Sequence, residues 1–91
     1  MTKKAFQQLL ENASEMTKTR LEKNPNYGVF IHASTQIDFI RNLVNRPNHT
    51  ITEKERASID LGLMAAKELE DSDPDYARVL EEVDYYFSKL E

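Results

Sequence analysis

The sequence predicts an all-α fold: a single-domain four-helix bundle over residues 1–91, with a largely buried third helix. Three observations carry that expectation. Apolar residues recur at spacings of three and four, the period of a helix with one buried face. No segment alternates apolar and polar residues as a half-buried strand would. Only two glycines and three prolines interrupt the chain. A length of 91 residues suits one domain with a small core.

The first helix is expected over Lys3–Lys23, with Thr2 as its N-cap. Phe6, Leu9, Leu10, Ala13, Met16, Thr17 and Leu21 form its apolar stripe. Asn24-Pro25 ends it, because the residue before proline disfavours helical geometry. The second helix is expected to open at the same pair, with proline in the first helical position. Val29, Phe30, Ala33, Ile37, Ile40 and Val44 make its inner face. Tyr27, Ile31, Asp38 and Asn42 fall elsewhere, so this helix presents apolar groups in two directions. NRPNHT (45–50) reads as a loop.

Thr52-Glu53-Lys54-Glu55 is a capping box and opens the third helix. Ala57, Ile59, Leu61, Gly62, Leu63, Met64, Ala65, Ala66 and Leu69 leave only Arg56, Asp60 and Lys67 as a polar stripe. That composition predicts burial on most sides. Gly62 weakens a helix interior by about 1 kcal/mol relative to alanine, which predicts close packing against a neighbour. Asp73-Pro74 starts the fourth helix as N-cap and first residue. Its stripe is Tyr76, Val79, Leu80, Val83, Phe87 and Leu90.

Charge is distributed unevenly. Residues 1–67 hold ten Lys/Arg and seven Asp/Glu, a balance of +3; residues 68–91 hold two and nine, a balance of −7. ELEDSDPD (68–75) alone has five carboxylates: Glu68, Glu70, Asp71, Asp73 and Asp75. Asp73 and Asp75 suit the positive end of the fourth helix. Glu68, Glu70 and Asp71 stand at the negative end of the third, where carboxylates are unfavourable, so a structural role does not account for them. An acidic chain lacks the basic stripe that phosphate binding needs, so no nucleic-acid partner is expected.

Catalytic and metal chemistry find little support. Asp71, Asp73, Asp75 and Glu82 match four positions of a calcium loop, but Tyr76 occupies the position that needs glycine and Pro74 starts a helix. His32 and His49 have no second ligand at metal spacing. There is no Gly-rich phosphate loop, and no serine stands in a nucleophile elbow. Cysteine is absent, which removes a thiol nucleophile and suits a reducing compartment. MTKKAFQQLL has no continuous apolar run, so neither a signal peptide nor a membrane span is expected, and the expected location is the cytoplasm. No enzyme activity, metal or cofactor is expected.

A binding module fits better. Tyr85 projects away from the fourth helix's stripe, among Arg78, Glu81, Glu82 and Lys89, and Tyr27 is a second exposed tyrosine candidate. Tyrosine is enriched as an interface anchor. The candidate partner-binding set is therefore Tyr27, Glu68, Glu70, Asp71, Asp75, Arg78, Glu81, Glu82 and Tyr85, facing a protein with a basic surface. The alternative is a structural or regulatory protein that self-associates through its second or third helix.

NPNYGVFIHASTQIDFIRNLV (24–44) and LGLMAAKELEDSDPDYARVLEEVDYY (61–86) resemble the immunity proteins of type VI secretion effectors that degrade NAD(P). The resemblance lies in the proline and tyrosine before helix two, then Gln36, Phe39, Ile40 and Arg41. It continues through Leu61-Gly62, Asp73-Pro74 and the tyrosines 85 and 86. The family's Ala-x-Lys-Glu stands here as Ala66-Lys67-Glu68, one residue shorter. The resemblance implies an all-helical cytoplasmic bacterial protein that binds a secreted NAD(P) glycohydrolase toxin domain and blocks its active site.

Overall fold

Thr2 opens α1 (Lys3–Lys23) as expected, its hydroxyl accepting from the Ala5 amide at 3.0 Å. The computed structural model of the chain describes residues 1–47 and 50–90. Its other helices are α2 (Gly28–Val44), α3 (Glu53–Ala57), α4 (Leu61–Glu68) and α5 (Pro74–Ser88). The architecture is all-α, a four-helix bundle in which α3 and α4 together make the third rod. Among the described residues there is no strand.

Neighbouring rods run antiparallel. Arg20, near the end of α1, meets Asp73 before α5, while Phe6 stacks on Phe87 at the other end with ring centroids 6.5 Å apart. Glu11 of α1 pairs with Arg41 of α2 at 3.0 Å. The core joins Phe6, Leu10 and Ala13 to Phe30, Ile37 and Ile40, and to Tyr76, Leu80, Val83 and Phe87. Leu9, Met16, Leu21, Val29 and Leu90 are only partly buried against it. Leu43 and Gln36 of α2 are also buried, beyond the face the periodicity picked out.

Two expectations are corrected. Helix α2 begins at Gly28, not at Pro25; Pro25 and Asn26 lie in a turn, and Tyr27 is the N-cap residue. The Tyr27 amide donates to the Asn24 carbonyl at 3.2 Å, so proline here bends the chain between helices. The third rod is not largely buried. It breaks at 58–60, α3 buries no residue, and only Ile59, Leu61, Ala65 and Leu69 of the expected set are enclosed. Leu63 is 65% exposed. Helix α4 lies mainly against α5, so its far side faces solvent.

The break is built, not frayed. The capping box forms as expected: the Glu55 amide donates to the Thr52 hydroxyl at 3.1 Å, and the Thr52 amide to the Glu55 carboxylate at 2.9 Å. Ser58 then closes the short helix, its hydroxyl donating to the Glu55 carbonyl. Gln36 reaches across from α2 and serves both sides of the interruption. Its Nε2 donates to the Ser58 carbonyl at 2.9 Å, and its Oε1 accepts from the Asp60 amide at 3.1 Å. His32 contacts the Asp60 carboxylate at 2.7 Å. From α5, the Asp84 carboxylate accepts the Gly62 amide at 2.6 Å. A Cβ on Gly62 would meet that carboxylate at 3.1 Å, which is the close packing the glycine predicted. At the opposite end, the Arg56 guanidinium donates to the Phe87 and Leu90 carbonyls and covers orphan acceptors at the end of α5.

Gln36→Ala is therefore expected to cost about 1–3 kcal/mol, because a carbonyl and an amide lose their partners together. Urea unfolding monitored by circular dichroism checks this. A loss within the error of the wild-type curve would show that the break holds without Gln36.

Candidate interaction surface

The antiparallel order collects five pieces of chain at one end of the bundle: the close of α1, the 24–27 turn, the start of α2, the close of α4 and the start of α5. Glu68, Glu70, Asp71 and Asp75 are all exposed there. Tyr27 shares this end and is 44% exposed. It rests edge-on against Phe30, which packs against Tyr76.

Asp73 anchors the acidic end. It occupies the N-cap position of α5 as expected, but makes no side-chain cap hydrogen bond. Both its oxygens hold Arg20 instead, at 2.6 and 3.0 Å. That contact lowers the Asp73 pKa and raises the Arg20 pKa. The same commitment takes from the calcium-loop pattern one of its ligands. The Arg20 guanidinium also lies 4.3 Å from the Tyr76 ring centroid. Tyr76 is fully buried and its pKa is raised by that burial. Its hydroxyl contacts Thr17 at 2.6 Å. The Thr17 proton goes to the Ala13 carbonyl, so Tyr76 is the donor in that pair.

Glu81 lies under this end. Partial burial raises its pKa, and the charge and hydrogen bonding of Glu70 add to the rise. Two carboxylates on different segments are thus held against each other. The Glu70–Glu81 contact and the Arg20 anchor are absent from the sequence reading. The antiparallel order of the first and last helices would have signalled Arg20–Asp73, since it places a basic last turn beside an N-cap aspartate.

Tyr85 lies apart from the acidic end, and Arg78 and Glu82 stand on the outer stripe of α5 between the two. Tyr85 is eleven residues beyond Pro74, roughly 16 Å along the helix axis. It is 56% exposed, packs edge-on against Tyr86 and has the Lys89 ammonium 5.5 Å from its ring centroid. Arg78 and Glu82 approach to 3.9 Å as an exposed pair, an arrangement worth little energetically. The outer stripe of α5 thus mixes both signs. Net negative charge concentrates at the end of the bundle, not along its flank.

His32 is engaged with Asp60, and His49 lies outside the described residues. Among the described residues, no three His, Cys, Asp or Glu side chains cluster to hold a metal. No helix among them is long and apolar enough to cross a membrane.

Acid unfolding follows from these pairs. Arg46 and the Thr52 amide lower the Glu55 pKa to about 2, and Arg20 lowers that of Asp73. Both folded pKa values lie below the unfolded ones. Their contribution to stability is complete above about pH 4 and is lost as pH falls through the folded values. Glu81 acts oppositely: its raised folded pKa makes stability fall as pH rises through it. Melting temperature against pH should therefore peak in mild acid and drop steeply toward pH 2. A profile still flat at that limit would contradict the two ion pairs.

The Tsi6 family model matches residues 5–89, which takes in nearly all of every helix. Among curated proteins and among solved structures nothing matches. The protein is an immunity protein whose partner is a protein, the cognate toxin of a type VI secretion system. A match of this length shows that the chain belongs to the Tsi6 family of type VI secretion immunity proteins.

Proposed function

We propose that the acidic end, with Tyr27 beside it, binds a basic surface of the cognate toxin and occludes its active site. The toxin in this reading degrades NAD(P). A cleft that receives the phosphates of a dinucleotide is cationic, and a cluster of carboxylates is complementary to it. The encounter takes place in the cytoplasm, where the dinucleotide is, and residues 1–91 act as one domain. One observation carries the reading. Glu68, Glu70 and Asp71 stand at the negative end of α4, and Glu70 is pressed on Glu81. These positions oppose folding, so their use lies outside the fold.

The test titrates this protein into its cognate toxin domain while following NAD(P) consumption. Consumption should fall linearly and stop at one equivalent. A tight complex that leaves consumption unchanged would remove active-site occlusion and keep the immunity role. A toxin that consumes no NAD(P) alone would remove the substrate assignment.

A further inference from the structure

Arg20 is a cation at the end of the bundle where negative charge gathers. Its guanidinium is committed within the chain on three sides. Nε and Nη2 donate to the two Asp73 oxygens at 2.6 and 3.0 Å, Nη1 donates to the Met16 carbonyl at 3.1 Å, and the group lies over the buried Tyr76 ring. The side chain is only 24% exposed. The Asp73 that it holds closes the segment carrying Glu70 and Asp71, and buried Leu69 closes the other end. Between them Glu70, Asp71 and Ser72 are exposed. Two backbone bonds tie the segment: the Glu70 amide donates to the Ala65 carbonyl at 3.1 Å, and the Asp73 amide to the Leu69 carbonyl at 2.8 Å. Glu70 stands against Glu81, so the segment's own charge works against this arrangement and its two ends hold it.

We propose that Arg20 is a positioning residue for toxin binding: by gripping both oxygens of Asp73 it holds Glu70 and Asp71 in the arrangement the toxin meets, a role that rests on the assignment of the acidic end to the toxin. A planar guanidinium on two oxygens fixes an angle as well as a distance. Packed on Tyr76, it passes the rigidity of the core to an exposed segment that has little of its own. A segment ordered before the encounter loses less conformational freedom on binding, and the gain falls mainly on the dissociation rate. Charge alone argues the other way. A cation in this surface repels a basic partner, so its removal would strengthen binding if charge were all that Arg20 contributed.

Two variants of the whole chain separate positioning from charge. Arg20→Met removes the cation and keeps an apolar stem on Tyr76. Arg20→Met with Asp73→Asn removes both partners, restores the wild-type net charge and keeps a good N-cap residue. It leaves no unpaired carboxylate, so the test stands even if Arg20→Met alone fails to fold. Binding to the cognate toxin domain is followed by surface plasmon resonance at a temperature where circular dichroism shows each variant folded. Dissociation should be about tenfold faster for both variants, while Arg20→Met associates as fast as the wild type or faster. In the free variants the Glu70 and Asp73 amides should exchange with deuterium faster than in the wild type. Lower melting temperatures with wild-type rate constants would leave Arg20 a purely structural role and overturn the proposal. Faster dissociation with unchanged exchange would make Arg20 a direct toxin contact and also overturn it. So would wild-type binding by the double variant with tighter binding by Arg20→Met, which would reduce Arg20 to its charge. Replacing Glu68, Glu70 and Asp71 together by lysine tests the acidic end itself. Unchanged binding there removes both readings, whereas lost binding there with wild-type dissociation in the two Arg20 variants removes this one alone.

Discussion

Tyr76→Ala is expected to unfold much of the protein at physiological temperature. Removing a fully buried aromatic side chain costs about 3–5 kcal/mol. A domain of this size has only about 5–15 kcal/mol to lose, and each kcal/mol moves the melting temperature by about 4–8 °C. The side chain is also the hub of the acidic end. It carries Phe30 on one side, donates to Thr17, and lies against the Arg20 guanidinium that holds Asp73. Tyr76→Phe separates packing from hydrogen bonding, because it keeps the ring and leaves the Thr17 acceptor unpaired. It should cost about 1–2 kcal/mol. Thermal melts of both variants check the pair. Equal losses would mean that the hydroxyl contact, not the ring, carries the stability.

The helices were legible where one physical signal dominates. The Thr2 cap and the Lys3–Lys23 span follow from side-chain chemistry within one segment, and so does the capping box at Thr52. The break at 58–60 was not legible, because its cause is non-local. Its orphan groups find partners on Gln36, His32 and Asp84, two of them on α2 and one on α5. An apolar-rich stretch over 57–69 then looks like one buried helix, when α4 buries only one side. Pro25 misled for a related reason: a proline that can start a helix can equally close the turn before it.

The candidate surface was half legible. Composition located the acidic segment, but it could not show that Tyr27 joins it and Tyr85 does not, which depends on the antiparallel order of the rods. Most residues that carry the family resemblance turn out to build the fold. Gln36 bridges the break, Arg41 ties α2 to α1, Gly62 admits Asp84, and Asp73 holds Arg20. The resemblance therefore identifies the scaffold, and the contact surface has to be argued from electrostatics.

That electrostatic account makes stability and binding move in opposite directions. Replacing Glu68, Glu70 and Asp71 together by lysine puts cations at the negative end of α4 and turns the Glu70–Glu81 repulsion into an attraction. Each change at the helix end is favourable by about 0.3–1 kcal/mol. The bundle should melt at or above the wild-type temperature. Toxin binding should suffer severely, because guided association on complementary charge is worth about 10–10³-fold in rate. Arg78, Glu82 and Tyr85, on the mixed-charge stripe, should matter much less.

The most direct test measures the association rate of the triple lysine variant with the toxin domain at several salt concentrations, alongside its melting curve. We expect an unchanged or raised melting temperature, an association rate at least tenfold slower at low salt, and loss of the wild-type salt dependence. A folded variant that binds as fast as the wild type, with the same salt dependence, would contradict the assignment of the acidic end to toxin binding.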